Sequence, residues 1–118
     1  MKKHPLNKNV LVNRYNLVNW LVRINNEVIG KGNLSKQVEQ VLQNIEIILT
    51  ECGASFENII KLNIYVVAGQ NVMEAFQASQ KYFARMKPPV VTVVFVSGLG
   101  NPDFLIEIEA TAFVSDKK

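Results

Sequence analysis

Apolar residues recur along this chain with two periods, and the switches between them mark its elements. Over residues 35–52, Val38, Val41, Leu42, Ile45, Ile48, Leu49 and Cys52 return every three or four positions. That spacing predicts a helix with one buried stripe. Ser35 is its candidate N-cap, and Gly53 can end it in a left-handed turn. Over residues 59–67 the period drops to two. Ile60, Leu62, Ile64 and Val66 fall on one face of a strand, with Lys61, Asn63 and Tyr65 on the other. Residues 71–86 read as a second helix with Val72, Met73, Phe76, Tyr82 and Phe83 on its apolar side, stopped by Pro88-Pro89. Residues 90–96 are β-branched and almost wholly apolar, the pattern of a strand buried on both faces. A Gly- and Pro-containing loop over residues 97–102 leads to a last strand over 104–114, where Glu107 and Glu109 alternate with apolar residues.

The N-terminal third is less periodic. Residues 10–12 and 17–24 read as a hairpin around a turn at Asn13-Arg14-Tyr15-Asn16. Asn25-Asn26 is a second turn, and residues 27–30 are a short third strand ended by Gly30 and Gly32. The order β-β-β-α-β-α-β-β makes this an α+β chain, a mixed sheet with both helices on one face. The other face is then half apolar and uncovered, which points to self-association.

Composition narrows the classes of function. The 118 residues suit one domain, 1–118, and 48% hydrophobic with 19% charged residues is ordinary for a folded globular protein. The net charge is +3 and the pI about 9.1. The cations are scattered, however, with pairs only at Lys2-Lys3 and Lys117-Lys118, so nucleic acid is not the expected partner. One cysteine, Cys52, permits no internal disulfide, and one histidine, His4, leaves no Cys/His cluster for zinc. Residues 1–9 lack the apolar core of a signal peptide, and the longest wholly apolar run is too short to span a bilayer. The expectation is a cytoplasmic protein without a membrane segment.

Several segments together resemble the RidA/YjgF family, also called the L-PSP endoribonuclease-like family. They are Gln40-Val41-Leu42-Gln43-Asn44-Ile45, Gly53-Ala54-Ser55-Phe56-Glu57-Asn58-Ile59-Ile60-Lys61, Pro88-Pro89, and Ile106-Glu107-Ile108-Glu109-Ala110. The resemblance covers residues 16–114. It implies a chorismate mutase-like fold, a homotrimer, and ligand clefts between subunits. It also implies hydrolysis of reactive enamines and imines to 2-oxo acids and ammonia, with no cofactor. The first glutamate of the terminal strand motif, here Glu107, would hold the attacking water.

The same resemblance exposes departures. The arginine that clamps the substrate carboxylate in relatives aligns with Val91, which offers no charge to a carboxylate. Thr92 beside it remains as a substrate-binding candidate. The family's Ser-Gly-Gln after the second strand is replaced by Leu21-Val22-Arg23, and Arg23 is a candidate replacement clamp or an ordinary surface arginine. Its cleft tyrosine falls near Lys8, and its helix-two Asn and Tyr near Phe76 and Ser79. Trp20 is core packing or fills the ligand's space. Asp103 and Glu107 lie four apart in the expected last strand, on one face, which is thin support for carboxylate-pair chemistry. Two readings stay open: an imine hydrolase using Glu107, Thr92 and Arg23, or a non-catalytic trimer binding a small metabolite or a partner protein. Ribonuclease chemistry lacks an acid-base pair here.

Overall fold

The computed structural model describes residues 14–18, 23–24 and 27–113. Helix α1 (Leu34–Glu51) forms where the three-and-four spacing puts it, and buries Leu34, Val38, Val41, Leu42, Ile45 and Leu49 along one stripe. Its cap is not Ser35. Asn33 adopts extended backbone, and its side-chain oxygen accepts from the Lys36 amide at 3.0 Å. The Ser35 hydroxyl instead donates to Glu74 at 3.0 Å and links α1 to the second helix. At the other end Gly53 takes φ +75°, a conformation that costs a side-chain-bearing residue strain.

After a 3-10 turn (Phe56–Asn58) comes β4 (Ile59–Val67), then α2 (Val72–Phe83), capped by Asn71. Strands β5 (Val90–Val96) and β6 (Ile106–Phe113) follow. With β1 (Arg14–Val18) they form one mixed sheet in the order β1-β6-β4-β5. β4 and β5 are parallel, so they need a crossover, and α2 supplies it. β6 runs antiparallel to both β4 and β1. Two residues each of β2 (Arg23–Ile24) and β3 (Glu27–Val28) make a separate ribbon.

The core lies between the helices and one face of this sheet. Leu62 and Val66 of β4 meet Ile106, Ile108, Ala110 and Ala112 of β6 under α1. Buried Leu and Ile side chains stabilise by about 1.5–3 kcal/mol each relative to exposure, so this layer supplies most of the apolar driving force. Gln37 is the buried polar residue of α1. Its amide nitrogen donates to the carbonyls of Gly30 (3.1 Å) and Asp103 (3.0 Å), and its oxygen accepts from the Leu105 amide (2.8 Å). One side chain thus ties together the loops entering α1 and β6.

Several expectations need correction. Residues 14–16 are not a turn but part of β1, whose pairing with β6 outweighs their turn-prone composition. Ile60 does not share a face with Leu62. A register shift between Ile59 and Lys61 inserts one extra residue, so Ile59 is buried and Ile60 is half exposed. Met73 and Phe76 are more than half exposed, while Ala75 is the buried residue of α2. Asp103 precedes β6 rather than sharing its face with Glu107, and it pairs with Lys31 at 3.7 Å.

The largest correction concerns β5. The continuous apolar run predicts burial on both faces, yet Val90 is 66% exposed, Val91 48% and Phe95 55%. The reason is position: β5 is the sheet's outer strand, with β4 on one side and α2 only partly over it. Residues 10–12, the Asn25-Asn26 turn and Val114 lie outside the described residues. No described helix is long and apolar enough to cross a membrane.

Candidate functional site

The sheet's open face carries a row of polar groups set by register. Paired residues on neighbouring strands share a face. Asn63 of β4 stands between Glu109 of β6 and Thr92 of β5, and Tyr65 stands between Glu107 and Val94. The Tyr65 hydroxyl donates to Glu109 Oε1 at 3.1 Å, and the Asn63 amide donates to the same oxygen at 3.2 Å. Glu109 is therefore held in place by two neighbours. That network raises the Tyr65 pKa, chiefly because the hydroxyl proton is held by the carboxylate, with desolvation and the charges of Glu109 and Glu107 adding to it.

Glu107 lies two residues from Glu109 on the same face. Its carboxyl is pushed above the ordinary carboxylate range, mainly by desolvation and secondly by the Glu109 charge. A carboxyl whose pKa is raised in this way is a candidate for proton transfer. The sequence singled out Glu107. It did not single out Glu109, Asn63 or Tyr65 as a network, although the period-two pattern of both strands already put them on polar faces.

Val91 lies elsewhere. It pairs with Leu62, on the helix-covered face. There it forms part of a groove of about 460 Å³ between α2 and β5. Val91 and Val93 of β5 and Phe76 and Phe83 of α2 line it from opposite elements, with Ile64, Met86 and Pro89 also in the lining. Among the described residues, Ser79 and Gln80 are the polar members of the lining, and no charged side chain belongs to it. The Ser79 hydroxyl donates to the Phe76 carbonyl at 2.7 Å. The Gln80 carboxamide has no hydrogen-bond partner among the described residues.

The residues marked in the sequence therefore divide between the faces. Glu107 and Thr92 belong to the open face, while Val91, Phe76 and Ser79 belong to the groove. Adjacent positions in a strand point to opposite faces, so Val91 and Thr92 cannot line one pocket in one chain. Arg23 is in β2, but its side chain lies outside the description, as do Lys8, Trp20 and Leu21. Sequence reading missed Gln80, because a helix glutamine next to Lys81 reads as solvent-facing. A wider, shallow hollow of about 640 Å³ beside the 3-10 turn is lined by Glu57, Lys81 and Arg85, and it shares Ala84 and Met86 with the groove. Among the described residues, no three His, Cys, Asp or Glu side chains gather as a metal site.

Comparison with known proteins agrees with the fold and extends along most of the chain. The family model described as endoribonuclease L-PSP matches residues 10–114. A RutC family protein of Pyrococcus abyssi is 36% identical over 85 residues, covering 72% of this chain and 65% of that protein. Another, from Pyrococcus horikoshii, is 39% identical over 85 residues, covering 72% and 66%. The matched region thus spans just under two thirds of the length of these relatives. Among solved structures, YyfB from Yersinia pestis is described as a conserved Rid family protein of unknown function. It superposes with a TM-score of 0.74 at 30% identity, over 86% of this chain and 79% of that one.

Proposed function

Since the chain belongs to the RidA/YjgF family, whose model is described as endoribonuclease L-PSP, we propose that it is a small-metabolite-binding member of that family, acting as a homotrimer. The observation that carries this reading is the uncharged groove walled by Val91. The family resemblance assigns a carboxylate-clamping arginine to that position. Losing a charge-assisted bidentate pair of that kind costs on the order of several kcal/mol of binding. Hydrolysis of carboxylate-bearing imines is accordingly not the main activity of this chain.

Two features support assembly. β5 exposes Val90 and Val94 on the open face, away from the groove, an apolar surface that association would cover. Glu107 and Val91 lie on opposite faces, so a cleft that combined them would need two copies.

A second reading, imine or enamine hydrolysis, is favoured by Glu107, whose raised pKa suits proton transfer. The test is ammonia release from 2-iminopropanoate generated in situ. No release by the wild type, with activity gained in Val91→Arg, is the expected outcome. Release by the wild type that disappears in Glu107→Ala would replace the binding reading with the hydrolytic one. Arg23→Ala would then show whether that arginine supplies the missing clamp. Sedimentation equilibrium checks the trimer.

A further inference from the structure

We propose that the groove between α2 and β5 takes an uncharged small molecule: an aliphatic or aromatic body bearing one amide, carbonyl or hydroxyl group. This rests on the groove being the metabolite site and names the class of its ligand. A volume of about 460 Å³ falls among small-molecule sites, which span roughly 300–1,000 Å³. Its lining includes Val91, Val93, Phe76, Phe83 and Met86. Met86 and the half-exposed Phe76 can adjust to the shape of a guest, since a thioether side chain fills irregular gaps.

Charge decides the class. Among the described residues an ionised ligand group would meet no countercharge in the groove, because none of those lining it is ionisable in the physiological range. Burying an unpaired charge is heavily penalised, whereas a neutral polar group needs only a hydrogen-bond partner. The groove provides one. The Gln80 carboxamide has donors and an acceptor unused by any described residue. Ser79 can add only an accepting lone pair, since its proton is given to the Phe76 carbonyl. Gln80 therefore orients the polar end of the ligand while Val91 and Val93 contact its body.

The test compares benzamide with benzoate, which share shape and differ in charge, and adds toluene as an apolar control. Methyl resonances of Val91 and Val93 are followed by NMR in the full-length protein at neutral pH. Benzamide is expected to shift both with a Kd at least tenfold below that of benzoate. Gln80→Leu should weaken benzamide severalfold and leave toluene unchanged, an effect that a general loss of folding would not produce. Val91→Arg should reverse the preference towards benzoate. Benzoate binding the wild type as tightly as benzamide would overturn the uncharged class while leaving a metabolite site in the groove. If none of the three probes moves these methyls, the groove is not a small-molecule site, and the binding reading falls with this inference. Methyl shifts that depend on protein concentration and ignore all three probes would assign the groove to a second copy of the chain, with the same consequence.

Discussion

Strands β5 and β6 both lie beside β4, both carry many apolar residues, and meet opposite fates. In β6 the apolar residues alternate with Glu107, Glu109 and Thr111, and Ile106, Ile108, Ala110 and Ala112 are all buried. In β5 the apolar run is unbroken, and six of its seven residues are exposed. An alternating pattern states which face needs cover, and α1 provides it. A continuous pattern states only that cover is needed on both faces, and the described residues do not supply it at the sheet's edge. An exposed apolar edge strand invites pairing with another chain. The difference between the two strands is thus between apolar residues that the described elements cover and apolar residues that they leave exposed.

The contrast can be broken most strongly at β6. Ile108→Ala should cost about 2–5 kcal/mol of stability in urea unfolding, the usual range for a fully buried Ile truncated to Ala. Val93→Ala, in β5, should cost under about 1 kcal/mol in dilute protein, as exposed substitutions do. Equal losses would mean that β5 is already buried in solution. Next in size is Gln37→Ala, which strips the hydrogen bonds from the Gly30 and Asp103 carbonyls and the Leu105 amide. A loss of at least about 1–3 kcal/mol is expected, because buried polar groups left unpaired keep their desolvation cost. Hydrogen exchange should show the Leu105 amide losing protection first.

Val91→Arg should change stability by no more than about 0.5 kcal/mol, since the side chain is half exposed. A large loss would mean that the groove is filled in solution. The smallest effects belong to the open face. Because folding raises the Glu107 pKa, the folded protein holds that proton more tightly than the unfolded chain. Stability is therefore favoured below the ordinary carboxylate range and declines as pH rises through the raised value. Glu107→Gln should flatten that decline in unfolding measured across pH. Likewise Glu109→Gln should lower the Tyr65 pKa towards that of a free phenol, read from its ring signals by NMR, because it removes the main group holding the phenol proton.

Much of this architecture was legible before any coordinates. The α1 stripe, the bounds of β4, the Gly53 terminus and the α+β class all follow from local periodicity, which short-range sterics and helix geometry translate directly. Ser35 was misread as the cap because it and Asn33 are both competent, and only the chain's entry path chose between them. Ile60 was misread because a one-residue shift in strand pairing leaves no mark in the hydrophobic pattern. At the candidate site, Glu107, Thr92 and Val91 are singled out by the family resemblance, but their separation onto two faces depends on which strands become neighbours.

The sequence by itself determined the two helices, the strands β4, β5 and β6, and which stripe of α1 is apolar. Those properties depend on residues within a few positions of one another. Only the tertiary structure decided that β5 is the outer of the described strands, that Glu109 is gripped by Tyr65 and Asn63, and that Gln80 shares a groove with Val91. These contacts join segments far apart along the chain, and strand order and register, not local pattern, bring them together.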